Sequence, residues 1–152
     1  MTVLPTSHDW RKSPDCGAME AAANYNIAAE ALVLGVLEQS DDCIKMLGVD
    51  GSLQFMNCGG LRAMEIGEFE NVKGLLWWEL WPEDSRDMVK RMFEATFGGQ
   101  DMDFIAFCPT AKGQMRRWAV KLKPMVSHDG RIAGVLCTSR DITAAPTADP
   151  SS

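Results

Sequence analysis

Histidine is nearly missing from this chain: His8 and His128 are the only two. With so few imidazoles and no His/Cys/carboxylate cluster, a divalent-metal centre is not expected. Five cysteines (Cys16, Cys43, Cys58, Cys108, Cys137) include no C-x-x-C pair and cannot all be paired. They read as reduced thiols of a cytoplasmic protein, not as a disulfide framework. Adjacent basic pairs such as Lys90–Arg91 and Arg116–Arg117 are too isolated to make a patch, and the formal charge is −6. A phosphate-backbone partner needs clustered Lys and Arg, so nucleic acid is not an expected ligand. No apolar run is long enough to span a bilayer, and the N-terminal residues lack the apolar stretch of a signal peptide. The G-x-S-x-G elbow, the H-E-x-x-H pair and the G-x-x-x-x-G-K-[ST] loop are all absent, so enzyme activity is not expected. Glu83 and Asp84 are adjacent carboxylates, but their place at the start of a helix accounts for them.

What is present is the material of one domain with tails: 152 residues, 46% hydrophobic and 24% charged. Residues 1–17 are expected to form a mobile polar tail and residues 144–152, rich in Pro and Ser, a disordered one. A helix is expected from about Ala18 to Leu37, with Ile27, Ala31, Leu34 and Leu37 on one stripe. Its second half, ALVLGVL, is apolar nearly all round, which suits a helix with more than one neighbour: its own sheet, a second subunit, or both. Cys43–Val49 and Leu53–Asn57 flank Asp50–Gly51 and read as a hairpin. A short helix over Gly60–Ile66 and a connector with Trp77, Trp78 and Trp81 follow. A longer helix then runs from after Pro82 to Phe97, burying Val89, Met92, Phe93, Thr96 and Phe97 and stopped by Gly98–Gly99.

The last third reads as a meander of three strands, Phe104–Cys108, Met115–Pro124 and Arg131–Thr143, joined by short Gly-containing turns. Trp118, Val120 and Leu122 alternate with Met115, Ala119 and Met125, so both faces are partly apolar and each needs a cover. The implied class is α+β. One five-stranded antiparallel sheet carries a helical flap on one face and the N-terminal helix on the other.

From about Leu37 to Thr143 the chain resembles a PAS domain. The likeness lies in the order of several pieces: the Asp50–Gly51 hairpin ending at Asn57, the run from Gly74 through Trp78 to Pro82-Glu83-Asp84, and the Gly98–Gly99 stop. Phe107–Gly113, Arg117–Trp118, Pro124, Asp129–Gly130–Arg131 and the closing Arg140-Asp141-Ile142-Thr143 complete it. The sequence is particularly similar to PAS modules of bacterial sensor histidine kinases and cyclic-di-GMP enzymes. The resemblance implies a PAS domain over residues 38–143, preceded by a capping and dimerisation helix over 18–37. It also implies a sensory module whose flap and inner sheet face enclose a ligand or cofactor.

Within that family, cysteinyl-flavin members need a thiol after the glycine matching Gly74, where this chain has Trp77. Haem-binding members take iron through a histidine on the long helix, and this helix has none. Non-covalent FAD is permitted, because Trp77 or Trp78 offers a stacking surface. A small organic ligand, or none, is otherwise expected. By strand parity and resemblance, Val135, Cys137 and Ser139 face the pocket, with Asn57, Trp77 and Trp78 on the opposite wall. A core filled by its own bulky side chains is the competing expectation. Asp141 matches the position through which relatives pass their signal, or else caps the sheet edge and pairs with a nearby Arg or Lys. Ile27, Ala31, Leu34 and Leu37 are the expected dimer contacts. The reading is a cytoplasmic sensory module that binds a small ligand and signals through a homodimer or a separate partner such as a histidine kinase. The alternative is a ligand-free interaction module. The tails suit a stand-alone protein or a piece of a longer sensor.

Overall fold

The computed structural model describes residues 17–144, so the two expected tails fall almost wholly outside it. The N-terminal segment is two helices, α1 (Ala18–Asn24) and α2 (Ala29–Gln39), where the sequence suggested one. Asn26 takes a left-handed conformation, φ 56°, which Asn tolerates better than most residues. The amide of Ile27 donates to Ala22 O, and that of Asn26 to Ala23 O. These two bonds are the C-terminal cap that ends a helix at a left-handed residue. Ile27 therefore lies between the helices, and the expected stripe is broken.

The hairpin β1 (Cys43–Leu47) and β2 (Leu53–Met56) is followed by α3 (Cys58–Ala63), a few residues earlier than expected because Asn57 caps it. The connector holds three single 3-10 turns, at Phe69–Asn71, Trp77–Leu80 and Glu83–Ser85, and leads into α4 (Arg86–Phe97). β3 (Met102–Pro109), β4 (Met115–Val126) and β5 (Ile132–Asp141) form the meander. The five strands make one antiparallel sheet in the order β2-β1-β5-β4-β3, so the first hairpin joins the last strand.

Alternation along β4 and β5 sends Trp118, Val120, Leu122, Val135, Cys137 and Ser139 inward, and all six are buried. The flap covers them. Trp77 and Trp81 meet edge to face with centroids 6.0 Å apart, Trp81 lies 5.6 Å from Phe104, and Val89 and Phe93 of α4 complete the core. Of the expected α4 face, Val89, Phe93 and Thr96 are buried, and Met92 and Phe97 half-buried.

The second face is different. The principal packing of α2 on the body of the domain is on α3, and none of its side chains is buried. Ile105, Phe107, Met115 and Met125 on the outer sheet face are exposed. Within the single chain, α2 does not shield these residues.

Candidate functional site

β1 is the strand that shapes the site. Its alternation points Cys43, Lys45 and Leu47 into the core. The flap tryptophans Trp77 and Trp81 line one cavity with Cys43 and Lys45, so this side of β1 faces the flap and not solvent. Register places Cys43 opposite Ser139 and Lys45 opposite Cys137. Lys45 is only 6% exposed. Its Nζ donates to Cys43 Sγ at 3.0 Å and to Ser139 Oγ at 3.1 Å. Ser139 Oγ also lies 3.7 Å from Cys137 Sγ.

Beside this cluster is a cavity of about 40 Å³ lined by Cys43, Lys45, Ser139 and Cys108 together with Trp77, Trp81, Trp118 and the apolar side chains of Met56, Met64, Ile66 and Leu80. Trp118 is held in place by its indole N–H, which donates to Cys108 O at 3.1 Å. Pockets for drug-sized ligands run to about 300–1,000 Å³. An isoalloxazine ring does not fit this cavity, so the arrangement does not suit FAD.

The charges in the cluster oppose one another. Burial is the largest influence on Lys45 and by itself disfavours its ammonium form. The sulfurs of Cys137 and Cys43 counter it, through charge and the Cys43 hydrogen bond, and hold the pKa above the usual lysine value. That support requires a sulfur to ionise. Burial pushes the Cys137 thiol up and the Cys108 thiol up to about 11. Near neutral pH both keep their protons and offer the ammonium dipoles, not an anion.

Of the six expected pocket residues, Trp77 and Ser139 line the cavity. Cys137 stands behind Ser139, and Val135 is fully buried in the core. Trp78 turns away and packs on Phe93 at 5.5 Å, with Lys90 above its ring. Asn57 does not face the cavity. Its Oδ1 accepts from the amides of Ile44 (2.8 Å) and Gly60 (3.0 Å), and its Nδ2 donates to Leu37 O and Asp42 O, both at 3.1 Å. Every strong hydrogen-bonding position of the amide is committed to backbone, which leaves nothing for a ligand.

Asp141, at the C-terminal end of the central strand β5, accepts from the Thr143 amide at 2.9 Å and stands 3.6 Å from Arg116 Nη1, so it pairs with an Arg but does not sit at a sheet edge. Ile27 and Ala31 line an open groove along α2, Leu34 is exposed, and Leu37 is half-buried. Lys45 was not among the expected site residues. The alternation of Cys-Ile-Lys-Met-Leu already groups it with Cys43 and Leu47. Only the flap packed over it shows that this face is interior.

The sequence profile of the PAS fold family matches residues 37–146. No curated protein matches the chain. A PAS domain from Colwellia psychrerythraea superposes with a TM-score of 0.69 at 14% identity, covering 77% of this chain and 99% of that one. A structure of an RNA-binding light-oxygen-voltage receptor gives 0.65 at 17% identity, covering 75% of this chain and 33% of the other. The VqmA dimer of Vibrio cholerae gives 0.63 at 12% identity, over 75% and 52%. At such identities the likeness concerns the fold.

Proposed function

The chain belongs to the PAS family, and from that premise we propose that it is a sensory module that binds a small ligand beneath its flap. The observation that carries this reading is the buried Lys45–Ser139 pair beside a cavity otherwise walled by aromatic and apolar side chains. A few convergent polar groups in a largely apolar site are what a small-molecule pocket needs for orientation and specificity.

The contacts around the pocket supply a route outward. Ser139 on β5 is followed by Arg140, which points to the other face. Its Nε and Nη2 each donate to the Asp42 carboxylate at 3.1 Å, in the segment that links α2 to β1. Asn57 ties the same segment and the end of α2 to β1 and α3. A ligand that draws on Lys45 and Ser139 shifts β1 against β5, and the linked segment passes that shift to α2. In this reading α2 meets a second copy of the chain or a separate signalling protein such as a histidine kinase, in the cytoplasm of a bacterium. Asp141, at the end of β5, passes the same shift to whatever follows the domain. The VqmA structure, a dimer by its description, supports pairing as a mode open to this fold. A net charge of −6 weighs against nucleic acid as the partner. The reading is one of binding without catalysis.

The alternative, a ligand-free interaction module, is supported by the exposed Leu32, Val33, Leu34 and Val36 of α2. Denaturing mass spectrometry of the purified protein, with a thermal-shift survey of metabolites, separates the two. A co-purifying compound, or a saturable rise in Tm with one metabolite, is the expected result. An empty protein indifferent to every compound would leave the interaction module as the reading.

A further inference from the structure

Lys45 presents a charge that the fold leaves unbalanced. Two of its three N–H donors are taken by a thiol sulfur, a weak acceptor, and by a hydroxyl. Among the described residues no Asp or Glu lines the cavity, and no other cation does. Removing an ammonium from water without an opposite charge is strongly disfavoured, and such groups are normally paired. The third donor has the cavity beside it.

We propose that the cavity is a binding site for a small monocarboxylate of one or two carbons, held by Lys45 Nζ and the Ser139 hydroxyl. The inference rests on the reading of this cavity as a ligand pocket and adds the chemical class of the ligand. Size sets the first limit: a cavity of about 40 Å³ holds roughly three water-sized groups, which matches formate or acetate. Charge sets the second. A dianion would carry a negative charge that no second cation meets, and a neutral molecule would leave the ammonium unpaired. The walls set the third, since Trp77, Trp81, Trp118 and Met56 make a lining that accepts a methyl group and rejects a second polar end. Ser139 serves both ways: its oxygen accepts from Lys45, and its hydroxyl proton, with only the Cys137 sulfur nearby at 3.7 Å, can be given to a carboxylate oxygen.

The test is titration of the full chain with sodium formate, sodium acetate, formamide and acetamide at constant ionic strength, read by tryptophan fluorescence and by calorimetry. A saturable change with the carboxylates and none with the amides is expected. Lys45→Met removes the charge and keeps the chain length, so it should fold, melt at or above the wild-type temperature, and lose the acetate response entirely. Ser139→Ala should weaken acetate binding about tenfold. Equal responses to acetate and acetamide, or an undiminished acetate response in K45M, would overturn the proposal. If a neutral metabolite binds while carboxylates are ignored, the sensory reading stands and this inference fails. Indifference to all of them ends both.

Discussion

At the scale of the residue, Asn57 shows how a polar side chain can be central and yet touch no ligand. It is 2% exposed, and it holds two backbone donors and two carbonyls from four separate segments. Alanine there strands the amides of Ile44 and Gly60 in the interior, and a buried unsatisfied donor costs about 1–3 kcal/mol. Asn57→Ala is therefore expected to destabilise the domain by roughly 2–4 kcal/mol, measured by urea unfolding. Unchanged stability with a lost ligand response would return Asn57 to the pocket wall. Lys45 is the opposite case. It is buried as deeply, but its partners are weak, so the fold gains little from its charge.

At the scale of the element, the β1–β2 hairpin anchors the flap as well as the sheet edge. The Trp77 amide donates to Gly51 O at 3.0 Å, the Leu53 amide to Leu75 O at 2.9 Å, and the Gly74 amide to Leu53 O at 2.8 Å. Trp77 and Trp81 are thereby fixed over the inner face by a turn far from them in the chain. Gly51 has φ 86°, and a Cβ there would come within 2.2 Å of the Trp78 ring. Gly51→Ala combines backbone strain with a displaced indole. An expected loss of about 2–3 kcal/mol should accompany a shifted tryptophan emission maximum. A wild-type spectrum and stability would mean that the turn does not set the flap. The helix α4 needs no such anchor, because one face of it is apolar at the right period.

At the scale of the whole molecule, the domain is finished on one side and open on the other. The flap closes the inner face, while Ile105, Phe107, Met115 and Met125 and the apolar surface of α2 stay in contact with solvent. A surface of this kind marks an interaction site more often than not. The dimer reading predicts a particle of twice the chain mass by light scattering at micromolar concentration. Charges at two exposed positions of α2, Val33→Glu with Val36→Glu, should convert it to a folded monomer whose melting temperature no longer depends on protein concentration. A wild-type monomer would end the dimer reading and leave a separate partner as the occupant.

The strands, their direction and the faces of β4 and β5 were written in the chain. Strict alternation over Trp118–Leu122 and Val135–Ser139 is a local property of a pleated strand, and short turns permit only antiparallel neighbours. The order of motifs likewise carried the family. The placing of the flap and the burial of Lys45 depend on contacts between distant segments. The same Cys-Ile-Lys-Met-Leu strand at a sheet edge would show its lysine to water. Pairing with β5 on one side and β2 on the other, beneath a flap from a third segment, puts that lysine in the interior. Cavity volume is the remainder left when many side chains meet, so only the assembled fold could decide that the tryptophans leave room for a few atoms and not for a flavin.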